Sequence, residues 1–267
     1  MNLNLYFTEV KRNRKNLITW SLIAVGFTAL VIAIFPTMED MGKDLVALMD
    51  KMPAELSKAM GMDAETWTNI LGFYSTYYGI YIILLVGIFC MSTGATIVSK
   101  EERDRTSEFL LTRPLSRKQI FKEKMMAMLT LTFMIFLIQT IIAIVLVAIF
   151  GSNVRWSAFA TMHVHGLVLI LFFTCLGVLI SFFFQPKKNF MGMVVGIIFG
   201  SYFLNAVSRA AESIEWMGYI SPFRYMDFDP LNPEYSINWI GVVGLLLISS
   251  GLLYVAFRLF EKKDIAG

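Results

Sequence analysis

The residues with the most chemistry in this chain are gathered in one stretch, 99–124, which reads SKEERDRTSEFLLTRPLSRKQIFKEK. It holds eight basic residues and five acids in a chain that is otherwise mostly apolar. Ser99 with Glu102, and Ser116 with Gln119, have the spacing of capping boxes, so two helix starts are expected. Pro114 disfavours a helical Arg113 and ends the first of them. Glu101 and Arg105 form a favourable i, i+4 pair on that first helix. The helix carries Glu108 and ends in Phe109, Leu110, Leu111 and Leu115, an apolar tip that a solvated connector has no use for. A charged helix with an apolar tip suits insertion into a groove on a partner protein.

Other reactive constellations are sparse. No phosphate cradle of the G-x-x-x-x-G-K-[ST] kind occurs, nor H-E-x-x-H or G-x-S-x-G, so P-loop ATP binding and the common protease and hydrolase chemistries are not expected of this chain. His163 and His165 are the two histidines. On a helix they point about 200° apart and cannot share one metal or one proton. An ionisable group inside a span invites a functional role; an ordinary hydrogen-bonded role near the interface is the reading preferred here. Gly192, Gly196 and Gly200 form a stripe with spacing four, the pattern of a close helix–helix contact or a dimer seam. Tyr74, Tyr77, Tyr78 and Tyr81 in one apolar run, with His163 and with Phe223 and Tyr225 in the broken aromatic stretch 216–230, are candidates for lining or gating a pathway. That stretch is also suited to anchoring at the membrane interface.

The elements that must position these residues are apolar helices. Of 267 residues, 57% are hydrophobic and 16% charged, against about a quarter charged in a soluble domain. Mean hydropathy is +0.64. Several runs exceed the ~18 apolar residues that suffice to span a bilayer. The chain is read as one all-α polytopic membrane domain, 1–267. Cys90 and Cys175 fall in apolar runs and carry no redox information. A cleavable signal peptide is not expected.

In order, an entry or elbow helix is expected at 2–16. It bears Leu3, Phe7 and Val10 on one face and Lys11 and Arg12 toward its end, lying in the headgroup region before the chain turns inward. Spans follow at about 17–36 (closed by Pro36), 73–98, 125–150, 157–184, 190–206 and 239–259, with short re-entrant or outer helices before the sixth. With both termini on one side, that side holds 17 of the 23 Lys and Arg residues, which places both termini and the charged stretch in the cytoplasm of a cell-membrane protein.

Together these features resemble the permease subunits of ABC transporters of the type-2 exporter family. The central stretch is similar to that family's signature at Glu102, Thr106, Glu108, Leu110, Leu111, Pro114, Ser116, Arg117 and Lys124; Arg105 stands where a glycine usually precedes the threonine. Further similarities are MPAELSKAMGM (52–62), SPFRY (221–225) and FEKKDI (260–265). The resemblance implies six spans, an elbow helix, and a coupling helix between spans 2 and 3. It also implies two permease chains with the first and fifth spans near the seam, and separate ATPase subunits that carry ATP and Mg. No cofactor is expected on this chain and no nucleic acid as partner. Relatives move varied cargo. A path lined by Met, Phe and Tyr favours amphipathic cargo, such as a peptide toxin or antimicrobial peptide, a drug or a lipid. Two rival readings are an intramembrane prenyl-protease-like enzyme, suggested by Glu101–Glu102 but with Thr106 in place of the motif arginine, and a non-transporting scaffold or sensor.

Overall fold

Among the described residues, six helices are long and apolar enough to cross a membrane. The computed structural model describes residues 4–49, 64–100, 116–183, 191–209 and 212–262, and among these it is helical with no strand. The helices are α1 (Asn4–Met49), α2 (Ala64–Thr68), α3 (Ile70–Tyr77), α4 (Ile83–Ile97), α5 (Arg117–Phe150), α6 (Trp156–Ile180), α7 (Met191–Ser208) and α8 (Trp239–Lys262). A π-helical turn, Tyr78–Ile82, joins α3 to α4 within the second span. Two 3₁₀ helices, Glu212–Ile220 and Pro222–Tyr225, precede α8.

Two expected boundaries are corrected. No turn follows residue 16, because α1 is one helix of 46 residues. Its basic residues are good helix formers, and no proline precedes Pro36 to break it. Nor does Pro36 close the helix. A proline removes one i→i−4 hydrogen bond, and the continuation is held by packing: a Cβ on Gly42 would sit 3.2 Å from both Thr68 and Trp67. At 1.5 Å per residue α1 is ~70 Å long, about twice the hydrocarbon thickness of a bilayer.

α5 begins where its capping box predicts. Ser116 Oγ accepts from the Gln119 N–H at 3.3 Å, and Gln119 Oε1 accepts from the Ser116 N–H at 3.0 Å. It ends at Gly151, after which Asn153 takes φ 55° in the tight turn to α6, a conformation its short polar side chain tolerates.

α1 packs on α5, α4 on α6, and α6 on α8. The second and fourth spans form the interior, with 67% and 61% of their apolar windows buried, whereas the other four bury between 22% and 33% and turn most of their surface outward. The α4–α6 contact is backbone on backbone. A Cβ on Gly94 would overlap the Thr174 carbonyl oxygen, and one on Gly177 would overlap that of Met91. Small residues at such crossings replace the hydrophobic drive that helices lack in lipid.

Candidate functional site

At the end of the bundle that holds both termini, Glu9 of α1 is buried between two ammonium groups. Lys100, just past α4, pairs with Glu9 Oε2, and Lys124 Nζ of α5 lies 3.5 Å from Oε1. Lys124 also donates to the Ile97 carbonyl at 2.5 Å. Beside them Glu123 Oε2 accepts the Tyr6 backbone N–H at 3.2 Å, supplying a carboxylate to the first turn of α1, where free N–H groups and the helix dipole favour one. Glu9, Glu123, Lys100 and Lys124 are all 5% exposed or less. An apolar collar of Leu5, Ile97, Ile120, Phe121, Met128 and Phe260 encloses this ionic clasp. Lys100 and Ser116 are the last residues described on either side of 101–115, so the clasp fixes both roots of the charged stretch.

Of the residues singled out for partner docking, Glu101, Glu102, Arg105, Thr106, Glu108, Phe109, Leu110, Leu111, Pro114 and Leu115 lie outside the described residues. Arg117 opens α5 and donates through Nη1 to the Glu261 carbonyl at 3.0 Å, fastening α5 to the end of α8. On α1, Leu3 lies outside the described residues. Phe7, Lys11 and Arg12 are exposed, and Val10 packs at the edge of the core.

At the opposite end the helices are fastened to one another by hydrogen bonds, and the ion pair found there among the described residues, Arg224 with Glu215, lies within the 3₁₀ segment. Gln139 Nε2 donates to the Tyr74 hydroxyl at 2.9 Å; that hydroxyl is 3.4 Å from His163 Nε2, and His163 Nδ1 is 2.9 Å from the Phe159 carbonyl. The set is satisfied as a one-way relay, with Nδ1 carrying the imidazole proton and Nε2 accepting. His165 serves a separate set. Its Nε2 accepts the Asn238 N–H at 3.2 Å, so Nδ1 is the donor to the Asp227 carbonyl 2.8 Å away. Tyr235 donates to that same carbonyl at 2.7 Å. Burial first, then the carboxylates of Asp227 and Asp229, push the Tyr235 phenol above its ordinary range, which keeps it a donor. Arg155 closes this end by donating to the carbonyls of Pro230 and Asn232. The two histidines therefore have separate hydrogen-bonded surroundings.

The pathway candidates divide into separate groups. Tyr74, Tyr78 and His163 are buried together. Tyr77 and Tyr81 stack on another face, with Tyr81 against Phe27 of α1. Phe223 is buried against Phe173 and Tyr202, while Tyr225 is exposed and donates to the Tyr219 carbonyl. Among the described residues, a Cβ on Gly192, Gly196 or Gly200 would meet nothing within 4 Å. The backbone-on-backbone approach between α4 and α6 falls instead at Gly94 and Gly177.

Sequence reasoning passed over Glu9, Lys100 and Glu123 as site residues and met Lys124 only as part of the family signature. One signal was present: Glu9 is the lone acid among the first 38 residues, set beside four basic ones.

A family model described as ABC-2 family transporter protein matches residues 3–265, and the chain belongs to that family. It is a membrane protein with six apolar helices, and the membership supports the role of transporter permease rather than enzyme. The chain is also similar to the "Uncharacterized membrane protein YdbK" of Bacillus subtilis (strain 168). The two are 24% identical over 235 residues, covering 83% of this chain and 94% of that one.

Proposed function

We propose that this chain is the membrane-spanning permease of an ATP-driven exporter and that it receives its mechanical input through residues 99–124. The observation that carries the reading is the ionic clasp, which ties both roots of that stretch to α1 and, through Arg117, to α8. A push on the stretch is thereby delivered to the first three spans and the last. The motor is a separate ATPase holding ATP and Mg, and Leu110 and Leu111 are its footing. The termini face the cytoplasm of the cell membrane, in keeping with the excess of Lys and Arg at that end.

Replacing Leu110 and Leu111 together by Asp leaves the helical bundle folded and abolishes ATPase co-purification. Retention of the ATPase at the level of the unaltered chain would remove this stretch from the interface.

Two copies form the pathway, and the outward face of α7 supplies the seam. Gly192, Gly196 and Gly200 lie there with exposed Val195, Phe199 and Phe203 and, among the described residues, nothing within 4 Å of where a Cβ on any of the three glycines would stand. Gly196→Leu leaves the thermal stability of the single chain unaltered and reduces dimer yield in crosslinking. A normal dimer with normal export would show the stripe to be lipid-facing.

The cargo is amphipathic: a peptide, drug or lipid-like molecule. An almost wholly apolar groove of about 350 Å³ between α5 and α6, bordered by Phe136, Ile144, Trp156 and His163, has the lining such a molecule requires.

A further inference from the structure

Away from the termini, a cavity of about 270 Å³ opens between the π-helical turn of the second span, the end of α7 and the segment that follows the 3₁₀ helices. Its polar lining is rich in acceptors. Ser75 Oγ and Thr76 Oγ1 both spend their protons on the Gly72 carbonyl, at 2.8 and 3.1 Å, and so offer lone pairs. Asn205 lines the cavity, is 8% exposed, and its Oδ1 has no hydrogen-bond partner. A buried acceptor left unpaired is costly, so a ligand that brings a donor is called for. Asp227 and Asp229 complete the rim. Each uses Oδ1 to accept a nearby backbone N–H, of Phe228 and of Leu231, and leaves its second carboxylate oxygen over. Arg209 is the cation in the lining, exposed, so two carboxylates against one guanidinium leave the site negative. Tyr202, Phe223 and Phe228 supply aromatic surface, against which a cation is favourably placed.

We infer that this cavity binds a protonated primary amine. An ammonium group has three donors and no acceptor, which complements a lining of acceptors. The volume falls just below the ~300 Å³ at which pockets for drug-sized ligands begin, so it admits an amine and a few carbons rather than a whole amphiphile. Two sources share that chemistry: a free alkylamine, and the ethanolamine headgroup of a bilayer lipid. That the amine belongs to cargo rests on the permease reading; the amine site itself does not.

The test uses the full chain in phosphatidylcholine nanodiscs without any ATPase, with hexylamine, hexanoate and hexanol as probes in ligand-observed NMR. Hexylamine binds, and the other two do not. Asp227→Asn with Asp229→Asn, at exposed positions that do not threaten folding, weakens hexylamine binding by about tenfold or more, as loss of charge-assisted contacts should. Asn205→Leu does the same. Phosphatidylethanolamine added to the nanodiscs competes if the headgroup is the natural occupant and leaves hexylamine binding unchanged if a free amine is; both results support the site. Equal binding of hexanoate, or undiminished hexylamine binding by the Asp variants, overturns it. Amine binding by a chain that retains no ATPase would keep this site and remove the transporter reading instead.

Discussion

The two ends of the bundle are fastened by different chemistry. Near the start of α1 and the end of α8, α1, α5 and the residue just past α4 are joined by a carboxylate between two buried ammonium groups. At the far end, α3, α5, α6 and the segment before α8 are joined through hydroxyl, amide, imidazole and carbonyl groups. The difference is energetic as well as chemical. A buried ion pair is expensive to assemble and very expensive to break, because removing one partner strands the other charge. A neutral hydrogen bond between helices in a membrane contributes about 0.6 kcal/mol on average. The ionic clasp therefore holds its three helices in one arrangement, and the hydrogen bonds that join the helices at the far end can exchange partners at smaller cost. On the permease role proposed above, both properties would be used: a stiff root for the incoming push, and a far end that can rearrange.

The largest effect expected from this contrast is at Glu9. Glu9→Gln removes the carboxylate and leaves Lys100 and Lys124 buried with an amide between them. A loss of about 3–5 kcal/mol in unfolding stability follows, read as a drop in midpoint on denaturation of the detergent-solubilised chain. Because the pair is shielded from solvent, added salt does little to the difference. Converting Glu9, Lys100 and Lys124 together to Met restores part of the stability, since it strands no charge, while the Ile97 carbonyl loses its Lys124 donor. A Glu9→Gln chain as stable as the original would mean that these charges are hydrated and that the clasp is no stiffer than the far end.

How far the sequence announces this arrangement depends on the kind of signal. The six spans are legible because each is a long apolar run, and the start of α5 because Ser116 and Gln119 make a local capping box. Both are properties of neighbouring residues. The ionic clasp joins positions 9, 100 and 124, and nothing local distinguishes Lys124 from Lys122, although one is buried and the other exposed. Helix phase decides which faces inward, and phase is fixed by packing. The glycines teach the same lesson. The spaced stripe at Gly192, Gly196 and Gly200 draws the eye, yet the backbone contact within the chain falls at Gly94 and Gly177, each isolated in its own helix and meaningful only when the two helices are laid side by side. The continuity of α1 was obscured for a different reason: a change from basic to apolar composition marks a change of solvent, and a helix can pass through that change without bending.

A smaller effect, at the neutral end, sharpens the contrast. Gln139 is buried at the head of the relay through Tyr74 to His163. Gln139→Leu removes a donor while keeping similar volume, and Tyr74 retains His163 Nε2 as an acceptor for its own proton, so no charge and no orphaned donor is left behind. The loss is held to about 0.5–1.5 kcal/mol, toward the lower end if the membrane average applies, and the added apolar contact offsets part of it. Measured under the same denaturing conditions as Glu9→Gln, it comes out at least a factor of two smaller. Should Gln139→Leu cost as much as Glu9→Gln, the relay would be as rigid as the ion pairs, and the division between a stiff input end and an adaptable far end would have to be given up.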